Sequence, residues 1–218
     1  MKTNTIALIV GGVIFLFLFL IGVYKLTNSG GSPTTYPEIG KINASDHYKW
    51  SPDKKNILVE YSDFQCPACK NFHEILKTFE ASGSPDFKIT QKVTFVYRHF
   101  PLFQIHQNTL DAAYAAEAAG KQGKFFEMGD LLFDKQGEWS KLGNAKDYFV
   151  KLAENLKLDV EKFKADAGSN EVKQKVEVDL RSGENGGINA TPTFFLNSKK
   201  LDDIRSFDEF KKLLLNAD

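Results

Sequence analysis

Residues 57–73 read ILVEYSDFQCPACKNFH. Ile57 to Tyr61 is a short, apolar, β-prone run, the pattern of a buried strand. A helix follows. Pro67 stands where a first helical turn tolerates proline. Phe72, Leu76 and Phe79, with Ile75 beside them, recur at i, i+4 and i+7 and make one apolar stripe. Ser82-Gly83-Ser84-Pro85 ends the helix. Both cysteines of the chain, Cys66 and Cys69, therefore fall directly after a strand and at a helix start.

A bond between them would close a very small loop. Chain-entropy stabilisation grows with loop length, so a structural staple gains little here. A redox dithiol, half of a metal site and chance placement remain. A C-x-x-C beside a βαβ pattern is the redox signature. Unpaired N–H groups and the dipole at a helix N-terminus favour a thiolate on Cys66. A low-pKa thiolate stabilises the reduced form and makes the disulfide a better oxidant. On this reading Cys66 is the attacking sulfur and Cys69, one turn inside, resolves the mixed disulfide. The metal reading rests on His73, which could share one helix face with both cysteines. With one more ligand, such a set suits copper or zinc. No second ligand pair occurs at finger-like spacing.

Downstream, Val93, Phe95 and Tyr97 alternate with Thr94 and Val96 in a second strand that runs to the Phe100-Pro101 break. The middle is helical: Thr109 to Ala119, Phe125 to Lys135, Ala145 to Leu156, Val160 to Ala167 and Glu171 to Ser182. A turn from Gly183 to Gly187 leads to a strand, Thr193 to Leu196; Asn197-Ser198-Lys199-Lys200 reads as a turn, with Leu201 opening a fourth strand. Ser206-x-x-Glu209 is a capping box that starts a last helix ending at Leu215. The order is β-α-β, a run of helices, then β-β-α. Thr191-Pro192 precedes the third strand, where the peptide is either cis in a tight turn or trans at the opening of an edge strand.

The N-terminus differs from the rest. Ile6 to Val23 is an uncharged run of 18 residues, enough to span a hydrocarbon core as a helix. It is longer than a signal-peptide core and no A-x-A site follows, so it reads as an uncleaved anchor. Lys2 and Lys25 face each other across it, and the positive-inside count only slightly favours the N-terminus inside. Residues 25–40, KLTNSGGSPTTYPEIG, read as a flexible tether. The expected organisation is an anchor over 1–24, a linker over 25–40 and one folded domain over 41–218. With 28 Lys+Arg against 28 Asp+Glu the net charge is zero, which argues against a nucleic-acid binder. Two cysteines exclude a disulfide-rich scaffold and a four-thiolate zinc site.

The stretch from Val59 to His73 resembles the active-site segment of DsbA-like thiol:disulfide oxidoreductases. Tyr97-Arg98-His99-Phe100-Pro101-Leu102, Gly123-Lys124-Phe125-Phe126-Glu127-Met128 and Gly187-Ile188-Asn189-Ala190-Thr191-Pro192-Thr193-Phe194 are similar to later segments of that family, in family order. The resemblance covers about residues 46–216. It implies an α/β thioredoxin fold with an all-helical insertion, about residues 104–184, between the βαβ and ββα halves. It implies a cis Pro192 near the cysteines, with the backbone beside Thr191 able to pair with a substrate strand. It also implies a buried acid, Glu60, that relays a proton for Cys69; the alternative for Glu60 is a hydrated edge-strand carboxylate. The catalytic set is thus Cys66, Cys69, Pro192, Thr191 and Glu60, with no cofactor and no metal. One departure is Pro67-Ala68 between the cysteines, where the best-known members carry a His. The implied activity is oxidation of reduced secreted or envelope proteins, in the periplasm or cell-wall space, with reoxidation by a DsbB-type membrane partner. A reductase or isomerase of the same fold, and a Cys/His metal module, are the alternatives.

Overall fold

The computed structural model describes residues 12–23, 35–202, 204 and 206–217. The chain divides into two compact units between Thr34 and Thr35. In the first, residues 12–23 are helical (α1), and their Phe, Leu, Ile and Val side chains are largely exposed. Among the described residues no helix is long and apolar enough to cross a membrane. Residues 1–11 and 24 of the expected anchor and 25–34 of the expected tether lie outside the described residues.

The second unit holds strands β1 (His47–Trp50), β2 (Asn56–Ser62), β3 (Val93–His99), β4 (Thr193–Leu196) and β5 (Lys199–Lys200). They form one sheet in the order β1-β3-β2-β4-β5. Helices α2 (Pro67–Glu80) and α3 (Lys88–Lys92) connect β2 to β3, which pair in parallel from Asn56↔Val93 to Ser62↔His99. A parallel pair needs such a crossover. The other pairings are antiparallel, with β2 against β4 running from Leu58↔Leu196 to Tyr61↔Thr193. Between β3 and β4 run α4 (Thr109–Gly120), α5 (Phe125–Asp134), α6 (Gln136–Trp139), α7 (Lys146–Asn155), α8 (Val160–Gly168) and α9 (Asn170–Asn185). Helix α10 (Phe207–Leu215) closes the unit, its N-cap Ser206 accepting from Glu209 N at 3.2 Å.

β2 is central, so both of its faces are covered, and six of its seven residues are buried. Side chains alternate between the faces. Leu58 joins the cluster with Cys69, Leu76, Phe79 and Phe95 beneath α2. Val59 and Tyr61 join Ile39, Phe100, Ile188 and Phe195 on the other side. Glu60 and Ser62 share the parity of Leu58 and so point toward α2. The alanines of α4 are buried around the helix, which lets its neighbours approach closely. At Gly183 on α9, an added Cβ would lie 2.6 Å from Phe100 and 3.1 Å from Tyr61, so only glycine allows this helix-to-strand approach.

Three differences from the sequence reading have physical causes. The folded unit begins at Thr35 rather than residue 41, so residues 35–40 are not tether. Ile39 is buried, and Arg98 donates to the Ile39 carbonyl at 3.0 Å and to Asp46 at 2.7 Å. The strand β1 was not expected: four residues at a sheet edge, HYKW, carry no clear alternation of burial. The return strand is Lys199–Lys200, held by Phe195↔Lys200 pairing, and stops before Leu201.

Candidate active site

Cys66 is the N-cap of α2, with Pro67 in the first turn and no side-chain oxygen capping the helix. The helix therefore offers its free N–H groups to Cys66 Sγ. Cys66 is 7% exposed and Cys69 fully buried, and the two are unbonded. The loop carrying Thr191 and Pro192 meets them although it lies far away in the chain. The Thr191–Pro192 peptide is cis, and the Cys66 thiol donates to the Thr191 carbonyl at 3.4 Å. The buried Thr191 hydroxyl faces the Cys66 sulfur.

The two thiols are driven in opposite directions. A hydrogen bond from Cys69 holds Cys66 down at about 5, against the cost of burial and with help from Thr191 and the Cys69 and Ala68 N–H groups. Burial pushes Cys69 well above the ordinary thiol range, and neighbouring Cys66 and Glu60 raise it further. Such a split distinguishes a nucleophile from a protonated partner. Glu60 is 3% exposed. Burial raises its carboxyl to about 7, opposed by the Ser62 hydroxyl and Lys49. A central position in the sheet excludes the hydrated edge-strand alternative.

The loop before Cys66 is held by residues that the sequence did not single out. The Asp63 carboxylate accepts from Gln65 N at 2.7 Å, Leu102 N at 2.9 Å, His106 Nδ1 at 2.7 Å and the Thr109 hydroxyl. Gln65 accepts from Asn108 N at 2.8 Å and donates to the Ser140 carbonyl at 2.9 Å. Gln136 on α6 donates to the carbonyls of Phe64 at 2.8 Å and Cys66 at 3.1 Å. The helical segment thus grips the cysteine loop through its backbone. No spacing rule marks these partners, because they come from three separate stretches, 63–66, 102–109 and 136–140.

The remaining histidines have partners of their own. His47, on β1, stacks on Phe125 with centroids 3.6 Å apart and bonds Glu117 at 3.0 Å, and His99 bonds the same carboxylate at 2.9 Å. His73 stacks on Phe133, its Nε2 3.6 Å from Asp130. Among the described residues no group of three or more His, Cys, Asp or Glu is placed to hold a metal ion. The Cys66–Cys69–His73 set considered from the sequence is therefore not assembled.

The sequence matches the family described as Thioredoxin over residues 43–216. Curated relatives include a Na(+)/H(+) antiporter NhaA 1 of Mycobacterium sp. (strain KMS), 38% identical over 162 residues that make up 71% of this chain and 24% of that protein. A Na(+)/H(+) antiporter NhaA of Herminiimonas arsenicoxydans is 34% identical, covering 78% of this chain and 24% of that protein. The chain thus spans about a quarter of the length of these curated relatives. Among solved structures, α-DsbA1 of Wolbachia pipientis is similar with a TM-score of 0.70 at 21% identity, covering 84% of this chain and 96% of that one. BdbD of Bacillus subtilis gives 0.63 at 22% identity, covering 84% and 95%. DsbA2 of Pseudomonas aeruginosa gives 0.57 at 26% identity, covering 79% and 94%. The chain belongs to the thioredoxin family and has the fold of its DsbA-like members.

Proposed function

We propose that the protein is a membrane-tethered thiol:disulfide oxidoreductase acting outside the cytoplasm, and that it donates a Cys66–Cys69 disulfide to reduced secreted or envelope proteins. The observation that carries this reading is the opposed tuning of the two thiols, Cys66 held at about 5 and Cys69 pushed up. A substrate thiolate attacks Cys66 Sγ, and Cys69 leaves as its bond to Cys66 breaks. The substrate's second thiol then displaces Cys66, giving a substrate disulfide and the reduced dithiol. Thiolate stabilisation at Cys66 favours that direction. Thr191, beside Pro192, offers a backbone carbonyl next to the sulfur for an extended substrate segment. Glu60 handles the proton of Cys69. Residues 6–23 tether the domain to the bilayer, and a DsbB-type membrane protein reoxidises the pair in the periplasm or cell-wall space. Disulfides persist in that compartment.

The test is the reduction potential of the Cys66–Cys69 couple in the detergent-solubilised full chain, equilibrated against glutathione. A value near about −120 mV supports disulfide donation. A value at or below about −250 mV overturns it in favour of a reductase.

A further inference from the structure

A four-residue helix holds the cysteine loop from one side. α6 is fixed in the core by Trp139, which is fully buried, meets Phe149 edge-on with centroids 5.2 Å apart, and donates its indole N–H to the Leu132 carbonyl at 2.8 Å. Gln136, the first residue of α6, is 7% exposed. Its amide nitrogen carries two hydrogens. It donates to two backbone carbonyls of the loop, Phe64 at 2.8 Å and Cys66 at 3.1 Å. These carbonyls lie on either side of Gln65, whose own amide donates to the Ser140 carbonyl at the C-cap of α6. The Cys66 carbonyl also takes the first bond of α2, from Lys70 N at 3.2 Å. A carbonyl has two lone pairs, so it accepts both. Gln136 therefore bonds the peptide group that joins Cys66 to its helix.

That peptide group matters because Cys66 relies on few donors. Pro67 has no N–H, so the first turn of α2 offers the sulfur the N–H groups of Ala68 and Cys69. Neither Pro67 nor Ala68 has a side-chain donor. How well the two N–H groups meet the sulfur depends on the Cys66 backbone. A residue before proline is kept in extended conformations, but its ψ still ranges over about 40° there. Cys66 has φ −75° and ψ 123°. Rotation about ψ turns the Cys66 carbonyl and, with it, the start of α2 relative to the sulfur. A hydrogen bond to that carbonyl from a buried, anchored donor selects one value within the range.

We propose that Gln136 is a positioning residue for Cys66, through which the helical segment sets the backbone that aims the α2 N–H groups at the sulfur. The inference rests on the dithiol-exchange reading above and adds the side chain of the helical segment that tunes its nucleophile. Gln136 is neutral and its amide bonds go to backbone carbonyls, so it acts through geometry and adds no charge. The charged and titratable groups around Cys66 come from other residues. Cys69 and Lys70 stand on α2, Lys70 with Glu74 as its ion-pair partner, and Glu60 stands on β2. Glu138 on α6 is bound by Lys135 and Tyr148. Thr191, on the cis-proline loop, is uncharged. A change in Cys66 on losing the Gln136 amide therefore reports alignment of the N–H groups rather than removal of a charge.

The experiment equilibrates the full chain in detergent with glutathione, where the protein disulfide and two glutathione thiols give the protein dithiol and glutathione disulfide. Thiolate absorbance of the reduced protein is titrated in parallel. The variants are Gln136→Met and Gln136→Leu, which keep the bulk and lose both donors, and Gln136→Asn. In the donor-free variants the thiolate midpoint should rise by about one pH unit. At pH 7 the equilibrium should then move about tenfold toward the protein disulfide, equivalent to about 30 mV. At pH 5 the parent thiol is already about half protonated, so the difference should shrink to about twofold. Should the donor-free variants fail to fold, Gln136→Asn carries the test, its shorter amide giving about a threefold change at pH 7. An unchanged midpoint and equilibrium, with stability lowered equally in the reduced and oxidised forms, overturns the proposal while leaving dithiol exchange intact. A parent protein that does not exchange with glutathione overturns the dithiol reading itself.

Discussion

Asp63 Oδ2 and His106 Nδ1 lie 2.7 Å apart, across a span of 43 residues. The carboxylate is completely enclosed, and backbone or side-chain donors converge on both of its oxygens. A carboxylate only accepts, so every donor finds a match. Asp63→Asn turns one acceptor into an NH₂ aimed at donors. It should cost about 2–4 kcal/mol of unfolding free energy, as for buried donors left facing a donor. His106→Ala removes one donor and should cost about 1–2 kcal/mol. Urea unfolding of both variants measures this, and a smaller loss for Asp63→Asn than for His106→Ala would contradict the account.

The Cys66 thiolate makes stability depend on pH in the reduced protein only. Its folded value, about 5, lies below the ordinary 9.0. The stabilisation is therefore complete above the unfolded value and disappears as pH falls through the folded one. Cys66 lies near the surface, so screening reduces the effect to about 1–2 kcal/mol near pH 7. Parallel denaturant titrations should find the reduced form more stable than the oxidised form at neutral pH. The margin should narrow toward pH 5, and thiolate absorbance should fall to about half near pH 5.

Glu60 has the opposite sign. Burial raises it from 4.5 to about 7. Between those values the folded protein binds the extra proton, so stability falls as pH rises. Glu60→Gln removes the titration and should gain about 3 kcal/mol over the parent at pH 8, relative to the difference at pH 4. A pH-independent difference between the two proteins would show that this carboxyl is not the titrating group.

Glu117 sets the acid limb. Burial alone would raise it, but hydrogen bonds from His47 and His99 hold it at about 2. Its contribution is present above the ordinary carboxylate value of 4.5 and is lost as pH falls toward 2. Glu117→Gln should cost about 2–3 kcal/mol near pH 6 and much less near pH 2. Chemical denaturation of both proteins at the two pH values checks this.

Local chemistry sufficed for the elements whose signals lie within a few residues. The start of α2 at Cys66-Pro67, the apolar stripe through Phe72, Leu76 and Phe79, the Ser206 cap of α10 and the helical run between β3 and β4 were all legible, because caps and periodicity act over a single turn. β1 was not, since an edge strand needs no internal alternation and exists only through its pairing with β3. The surroundings of the cysteines, implied by the resemblance for Thr191, Pro192 and Glu60 but by no local pattern, were decided by the tertiary structure. It brought the Thr191 carbonyl to Cys66 across 125 residues. By placing β2 between β3 and β4 it buried Glu60. It drew Asp63, Gln65 and Gln136 into one network gripping the loop. Burial and convergence depend on which strands neighbour which, and that is a property of the assembled sheet rather than of any short stretch of residues.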